Sequence, residues 1–195
     1  EENYLVLRVK DFKNEKGKLP DNFDVVFIGD YPETFKKIFE KQSGKKITGI
    51  KEEKYYYKNR LLSEIKFIKE SSKKIKNNDV VFFFPSFEAI LRSFSDEWEK
   101  GMKIIFSLIG ERSQHIYFIF PYITPDKNVS LFKKRIEKVC KEKKINFVDF
   151  SEIFGKDWIK YYSISDKIFK PLPDEEGYKV ASEKLLNYLK WRKFS

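Results

Sequence analysis

The sequence predicts an α/β domain in which a parallel sheet of about five strands lies between two layers of helices. Short apolar runs of strand length, such as VVFFF at 80–84, alternate with segments whose apolar residues recur every three or four positions. A run that is apolar throughout indicates a strand covered on both faces, which is typical of parallel sheets. No repeat or low-complexity linker interrupts the alternation, and 195 residues suffice for one core.

The strands are predicted in order at residues 24–29, 46–50, 80–85, 116–121 and 145–149. A helix is expected to begin near Pro32, and four more are predicted from the apolar stripes Leu61, Ile65, Ile68 and Ile75; Trp98, Met102, Ile105 and Ile109; Val129, Phe132, Ile136 and Val139; Tyr178, Ala181, Leu185 and Leu189. Residues 1–20 are expected to form an N-terminal extension or an extra strand, and residues 21–195 a single domain.

The counts of cysteine and histidine limit the chemistry. A single cysteine, Cys140, excludes an internal disulfide and a cysteine-rich metal site, and a single histidine, His115, excludes a multi-histidine site. We therefore expect no metal and no cofactor. Cys140 follows a lysine-rich helical pattern, so a half-buried thiol is expected there.

The formal net charge of +10 raises the question of nucleic-acid binding. Of the 40 basic residues, 34 are lysine, whereas base edges and bidentate phosphate contacts favour arginine. The lysines alternate with glutamate along the predicted helices, as in SEIKFIKESSKKIK, which is typical of solvated helix faces. We expect no specific binding to nucleic acid.

No apolar run reaches the ~18–20 residues that a membrane-spanning helix needs. The sequence begins at Glu1 rather than Met. We expect that a signal peptide was removed, that a membrane anchor lies upstream, or that the boundary is artificial. Either of the first two would favour an extracytoplasmic location over a cytoplasmic one.

Ligands of a parallel sheet bind at the carboxyl ends of its strands. The residues that follow the predicted strands there are Asp30, Tyr31, Ser86, Phe87, Glu88, Tyr122 and Thr124. His115 precedes its strand, so it is expected at the opposite edge, where an imidazole cannot reach a nucleophile at the carboxyl edge.

Four stretches, taken in order, resemble the sequence blocks of SGNH (GDSL-type) hydrolases. VVFIGDYPETF resembles the first block, a strand followed by Gly-Asp-Ser, and DVVFFFPSFEAI is similar to the third, Gly-x-Asn-Asp after a strand. INFVDFSEIF and PDEEGYKVASEKLLNYL resemble the strand before the last block and the helix after its Asp-x-x-His-Pro motif. The resemblance covers residues 24–190 and implies a flavodoxin-like, three-layer α/β/α sandwich.

The same resemblance places other residue types at the family's catalytic positions. The nucleophilic serine falls on Tyr31, the oxyanion-hole glycine of the third block on Pro85, and its asparagine on Phe87. The second-block glycine corresponds to Gly49, whose backbone N–H could still donate. Because each lost oxyanion donor costs about 3–4 kcal/mol of transition-state stabilisation, ordinary ester hydrolysis is not expected.

The catalytic histidine falls on Leu172 and its aspartate on Phe169. A short insertion would instead bring Asp166 to the aspartate position, with Phe169 then in place of the histidine. Neither alignment supplies the base that a serine hydroxyl needs to become a nucleophile.

Two interpretations of the replaced positions remain open. In one, Tyr31, Phe87 and Phe169 fill the former cleft with apolar bulk. In the other, they leave an aromatic groove in which sugar rings pack on side chains while polar groups bind hydroxyls. The candidate groove residues are Asp30, Tyr31, Gly49, Ser86, Phe87, Glu88 and Tyr122. Asp30 is also expected to stabilise the start of the helix at Pro32.

These observations predict a catalytically inactive SGNH-hydrolase-like domain that acts as a binding or scaffold module for a cell-envelope glycan or a protein partner. The alternative is a divergent acyl esterase or O-acyltransferase acting on acylated glycans or lipids, with Ser86 as its nucleophile. A third hypothesis is a basic, nucleic-acid-binding derivative of the same fold.

Overall fold

Five parallel strands form one sheet, close to where the sequence predicts them. The computed structural model describes residues 23–51, 60–86, 96–122, 127–162 and 172–189. The strands are β1 (Val25–Gly29), β2 (Ile47–Lys51), β3 (Val80–Phe84), β4 (His115–Phe120) and β5 (Asn146–Asp149), in the order β2-β1-β3-β4-β5. The predicted fold class is therefore confirmed. The extra strand expected within residues 1–20 lies outside the described residues.

Helices connect the strands and cover both faces of the sheet. They are α1 (Glu33–Ser43), α2 (Arg60–Ser71), α3 (Asp96–Gly110), α4 (Lys127–Lys143), α5 (Phe150–Phe154) and α6 (Glu175–Tyr188), with short 3₁₀ segments at Ser72–Lys74 and Gly155–Tyr161. Helix α1 ends at Gly44, whose backbone is left-handed (φ +71°) and whose N–H donates to the Glu40 carbonyl. None of the helices in the described part of the chain is both long and apolar enough to cross a membrane.

Two apolar clusters hold the layers together, one on each face of the sheet. Helices α1, α5 and α6 pack on one face. There the ring centre of Phe27 lies 5.0 Å from that of Phe84 and 5.8 Å from that of Phe35. Helices α2, α3 and α4 pack on the other, where Phe83 and Phe118 stack at 5.7 Å. Alternate residues of β3 therefore enter opposite clusters, which explains why this strand is apolar throughout.

Cys140 differs from its predicted half-buried state. Its side chain is fully buried on the inner face of α4, within the cluster that α2, α3 and α4 share. Burial raises the pKa of this thiol well above its ordinary value, so it behaves as a small core residue. The lysines around it in sequence point outward, because neighbouring positions on a helix face different directions.

The strand order places a topological switch point between β1 and β3. The chain leaves β1 toward β2 on one side, whereas β3, β4 and β5 add on the other side. In this arrangement a crevice is expected at the carboxyl ends of β1 and β3. The segment after Gly29 and the segment after Phe84 flank it.

Candidate functional site

The corner that follows β1 is fixed against β3. Gly29 has φ +105°, and a methyl group built on its α-carbon would lie 2.2 Å from the Phe84 carbonyl oxygen. The same carbonyl accepts a hydrogen bond from the Asp30 backbone N–H at 3.1 Å. Only glycine combines this backbone conformation with such a close approach, so Gly29 determines where the next residue points.

Tyr31, two residues after Gly29, points into the core rather than into the crevice. It is 5% exposed and meets Phe27 and Phe84 edge to face, with ring centres 6.0 Å and 6.3 Å apart. It belongs to the apolar cluster under α1 and α6. An aromatic ring that packs against the sheet therefore fills the corner after β1, where the sequence resemblance implies a nucleophile.

The hydroxyl of Tyr31 extends over Gly49 in β2. A methyl group on Gly49 would lie 2.3 Å from that oxygen and 3.2 Å from Cε of Lys36. Gly49 sits within the strand, two residues before its end, and Tyr31 covers it on the face that α1 shares. The bare α-carbon of Gly49 therefore makes room for the tyrosine on this face, while Gly49 itself stays exposed.

Lys51, at the end of β2, covers the outside of Tyr31. Its ammonium lies 4.3 Å from the centre of the tyrosine ring and donates a hydrogen bond to the Tyr31 backbone carbonyl. Burial raises the pKa of the Tyr31 phenol above its ordinary value, the charge of Glu33 adds to this, and Lys36 opposes it. Tyr31 is therefore a neutral phenol near pH 7, not a phenolate nucleophile.

Two other tyrosines bind the backbone where β3 and β4 end. The Tyr122 hydroxyl donates to the Pro85 carbonyl at 3.0 Å, and the Tyr162 hydroxyl donates to the Pro121 carbonyl at 2.8 Å. Both bonds are buried, and burial raises the pKa of Tyr162 far above its ordinary value. Ser86, next to Pro85, is 5% exposed. Successive connections at this edge are thus joined by buried hydrogen bonds.

The described candidate positions present no exposed aromatic ring. Tyr31, Ser86 and Tyr122 are each at most 5% exposed, so no ring among them offers a face for a sugar to stack on. Of the other candidate groove residues, Asp30 is half-buried and Gly49 is exposed. Phe87, Glu88, Thr124, Asp166 and Phe169 lie outside the described residues.

Neither Leu172 nor His115 supplies a base at the corner after β1. Leu172, which the resemblance aligns with the family's histidine, is half-buried and packs against the cluster under α2, α3 and α4. His115 is the first residue of β4, so it lies at the amino edge of the parallel sheet, and its backbone N–H donates to Ser113. The prediction that His115 and Tyr31 occupy opposite edges agrees with the strand directions.

Asp30 does not cap α1, contrary to the expectation from sequence. Pro32 is the N-cap residue, with extended backbone, and no side chain accepts a capping hydrogen bond there. Asp30 precedes the N-cap residue by two positions, whereas a capping side chain belongs to the N-cap residue itself. Asp174, by contrast, caps α6 through a 2.8 Å bond from the Gly177 N–H to its Oδ1.

One polar cluster at the carboxyl edge was not predicted. Asp149, at the end of β5, accepts hydrogen bonds from the Ser151 N–H at 3.0 Å and the Ser151 hydroxyl at 2.8 Å. Lys133 of α4 pairs with Asp149 at 2.7 Å and donates to the Ser151 hydroxyl at 3.2 Å. The pattern Asp-x-Ser after a strand indicates a helix cap, but nothing in the sequence marks Lys133 as its partner.

This cluster has the residue types of a Ser–Lys pair but not the geometry of one. Lys133 donates to both oxygens, so it does not accept the proton of Ser151, whose hydroxyl already donates to Asp149. The arrangement caps α5 and joins it to α4. Within the ranges that the structure describes, no group of three His, Cys, Asp or Glu side chains could hold a metal ion.

Solved structures share this architecture over most of the chain. A lipolytic protein of the G-D-S-L family from Veillonella parvula matches 85% of this chain and 97% of its own, with a TM-score of 0.61 at 14% identity. The fold is that of the SGNH hydrolases. A catalytic mutant of the acetylxylan esterase Axe2 from Geobacillus stearothermophilus matches 92% of this chain and 99% of its own, with a TM-score of 0.61 at 14% identity.

A lipase from a goat rumen metagenome gives a similar result, with a TM-score of 0.55 at 18% identity over 87% of this chain and 98% of its own. No family model matches the sequence, and no curated protein matches it either. The SGNH-like fold predicted from the four sequence blocks is therefore confirmed by structure, at sequence identities that establish the fold alone.

Proposed function

We propose that this chain is a catalytically inactive SGNH-hydrolase-like domain that works as a binding or scaffold module. The observation that carries the proposal is the packing of Tyr31. Its ring fills the nucleophile corner from the core side, its hydroxyl lies over Gly49, and Lys51 covers its outer face. A hydrolase of this fold needs an exposed nucleophile at that corner and a base beside it.

The other replaced positions support the same proposal. Pro85 has no N–H to donate, and its carbonyl accepts the buried Tyr122 hydroxyl. Leu172 supplies apolar contact where a histidine would supply a base. Restoring one of these groups would leave the others missing, so we expect that no single substitution restores ester hydrolysis.

The partner class that we propose is a cell-envelope glycan or a protein. One structural neighbour is named as an acetylxylan esterase, so this fold accommodates an acylated polysaccharide in at least that protein. In this chain a partner would meet the exposed parts of the carboxyl edge around Asp30 and Gly49, because Tyr31, Ser86 and Tyr122 are buried.

The test measures both halves of the proposal on the purified protein. Release of product from a small activated acyl ester should not exceed that of a control protein of similar lysine content, since lysine amines give background aminolysis. Tyr31→Ser should not restore turnover, because no base lies beside it. A saturable rate that Ser86→Ala abolishes would overturn the proposal in favour of the divergent acyl esterase.

The binding half is tested with a panel of envelope polysaccharides and Asp30→Ala as the variant. A glycan whose binding Asp30→Ala weakens, with the melting temperature unchanged, would support the carboxyl edge as the site. Asp24→Ala is the matched control, because Asp24 lies just before β1 and therefore at the amino edge. Equal loss in both variants would place the binding elsewhere.

A further inference from the structure

The segments that lead into the five strands lie together at the amino edge of the sheet, and positive charge is concentrated there. We define the amino edge as residues 23–24, 40–46, 72–79, 110–114 and 140–145. These segments contain five acidic residues and ten basic ones, the latter being Lys41, Lys45, Lys46, Lys73, Lys74, Lys76, Arg112, Lys141, Lys143 and Lys144. The amino edge therefore carries a large share of the chain's net positive charge.

Most of the acidic residues at this edge are already engaged. Glu40 pairs with Lys36 at 2.7 Å, and Glu142 pairs with Lys103 at 2.7 Å; both of these lysines lie outside the ten. Asp79 is buried and accepts the Lys76 backbone N–H at 2.7 Å. Asp24 and Glu111 are exposed and form no ion pair with another described residue, whereas Glu142 is exposed but paired.

The basic residues, in contrast, are available to solvent. Lys45 lies over the Phe23 ring, and the other nine basic side chains are exposed. None of the nine forms an ion pair with another residue that the structure describes. Because the ten basic residues outnumber the five acidic ones, this edge has an excess of positive charge that no ion pair within it neutralises.

We propose that the amino edge docks this domain on an anionic membrane surface. A bilayer containing acidic lipids presents a broad plane of negative charge, and each lysine or arginine near it adds attraction without needing a fixed geometry. Charges spread over four separate connections of one sheet edge match such a plane. The inference concerns the edge opposite the candidate site, so it does not depend on the proposed function.

Two other polyanionic partners fit the same edge less well. Nucleic-acid recognition favours arginine forks and aromatic platforms, whereas nine of the ten basic residues are lysine and the ring of Phe23 is covered by Lys45. An acidic protein would need an apolar centre to the interface. The exposed large hydrophobic residues within the described ranges, Ile104 and Leu131, lie on α3 and α4 outside this edge.

The experiment is co-sedimentation of the protein with vesicles of phosphatidylcholine alone or mixed with phosphatidylglycerol. The protein should bind only the mixed vesicles, and binding should weaken as salt is added. The test variant combines Lys46→Glu, Lys73→Glu, Lys74→Glu and Lys143→Glu. Its control combines Lys37→Glu, Lys100→Glu, Lys134→Glu and Lys156→Glu, exposed lysines outside the amino edge with the same change in net charge.

We expect the amino-edge variant to lose at least about tenfold in vesicle affinity and the control to lose no more than about threefold. Equal losses in the two variants would show diffuse attraction by net charge and overturn the proposal. Tighter binding to duplex DNA or RNA than to anionic vesicles at the same salt would overturn it as well.

Lysines near helix C-termini also stabilise helices, so charge reversal could unfold the protein. If the melting temperature of the glutamate variant falls, the same four positions are changed to glutamine instead. Loss of vesicle binding by the folded glutamine variant, with binding retained when the four control lysines are changed to glutamine, supports the proposal. Full binding by the amino-edge glutamine variant, or equal loss in both, contradicts the proposal.

Discussion

The two edges of the sheet differ in how the chain is held there. At the carboxyl edge, the Gly29 corner rests on the Phe84 carbonyl, and buried tyrosine hydroxyls bind the carbonyls of Pro85 and Pro121. At the amino edge, the connections present exposed lysines, none of which forms an ion pair with another described residue. A parallel sheet normally offers its ligand site at the carboxyl edge. In the described part of this chain, that edge is closed by packing and the opposite edge is open and charged.

The largest expected effect comes from the glycine that forms the carboxyl-edge corner. Gly29→Ala places a methyl group 2.2 Å from the Phe84 carbonyl oxygen at φ +105°, and the backbone of a central strand cannot move away. We expect a loss of more than about 3 kcal/mol in the free energy of unfolding, measured by urea denaturation.

Gly44→Ala, at the amino edge, is the matched control. Gly44 is also left-handed, at φ +71°, but a methyl group there would meet nothing within 4 Å. Its expected cost is about 1 kcal/mol, from the backbone conformation alone. If the two variants lost the same stability, the corner would not be under the steric control that the structure indicates.

The second effect is a fall in stability at alkaline pH, caused by phenols buried near the carboxyl edge. Burial raises the pKa of Tyr31, Tyr162 and Tyr178 above the ordinary value of 10.0. Above about pH 10 the unfolded chain releases these protons while the folded chain keeps them. Above about pH 10, each such phenol therefore lowers the free energy of unfolding by up to about 1.4 kcal/mol per pH unit. Below about pH 10, the phenol is protonated in both states and the free energy of unfolding does not fall.

Urea denaturation at several pH values from neutral to alkaline measures this slope. Tyr178→Phe should make the slope shallower, because it removes one of the buried phenols. An unchanged slope in Tyr178→Phe would mean that this phenol ionises alike in the folded and unfolded chain.

The sequence carries most of the information about the fold and less about the site. Strands β1 and β3 are recognisable because both of their faces are buried, and the resemblance places Tyr31 at the corner two residues after β1. The direction of Tyr31 is not recognisable, since it depends on the missing side chain of Gly49 on a different strand. Lys51 and Lys133 look like other surface lysines, because their partners are distant in sequence.

The third effect concerns the contact between Tyr31 and β2. Gly49→Ala puts a methyl group 2.3 Å from the Tyr31 hydroxyl oxygen and 2.9 Å from the ring carbon that bears it. We expect a loss of about 1–3 kcal/mol, as for other overpacked sites. Adding Tyr31→Phe removes the closer atom, so the double variant should recover part of the loss.

A double-mutant cycle of the four proteins by chemical denaturation measures this coupling. Additive losses would show that the tyrosine hydroxyl does not rest on Gly49 in solution. In that case the ring could turn toward the crevice, and the corner would offer an aromatic surface after all.

The smallest expected effect separates two aspartates that precede helices near the carboxyl edge. Asp174 accepts the Gly177 N–H and caps α6, so Asp174→Ala should cost about 1 kcal/mol in the free energy of unfolding. Asp30 precedes the N-cap Pro32 and makes no capping hydrogen bond, so Asp30→Ala should change stability by less than about 0.5 kcal/mol. Both free energies are read from urea denaturation at pH 7.

This pair of variants decides what Asp30 contributes. If Asp30→Ala loses little free energy of unfolding, the half-buried carboxylate of Asp30 is not needed for the fold. Such a result favours a role for Asp30 in binding a partner. A loss as large as that in Asp174→Ala would instead show that Asp30 stabilises the start of α1 in solution. The carboxyl edge would then be structural at every described candidate position except Gly49, and partner binding would have to be sought elsewhere on the molecule.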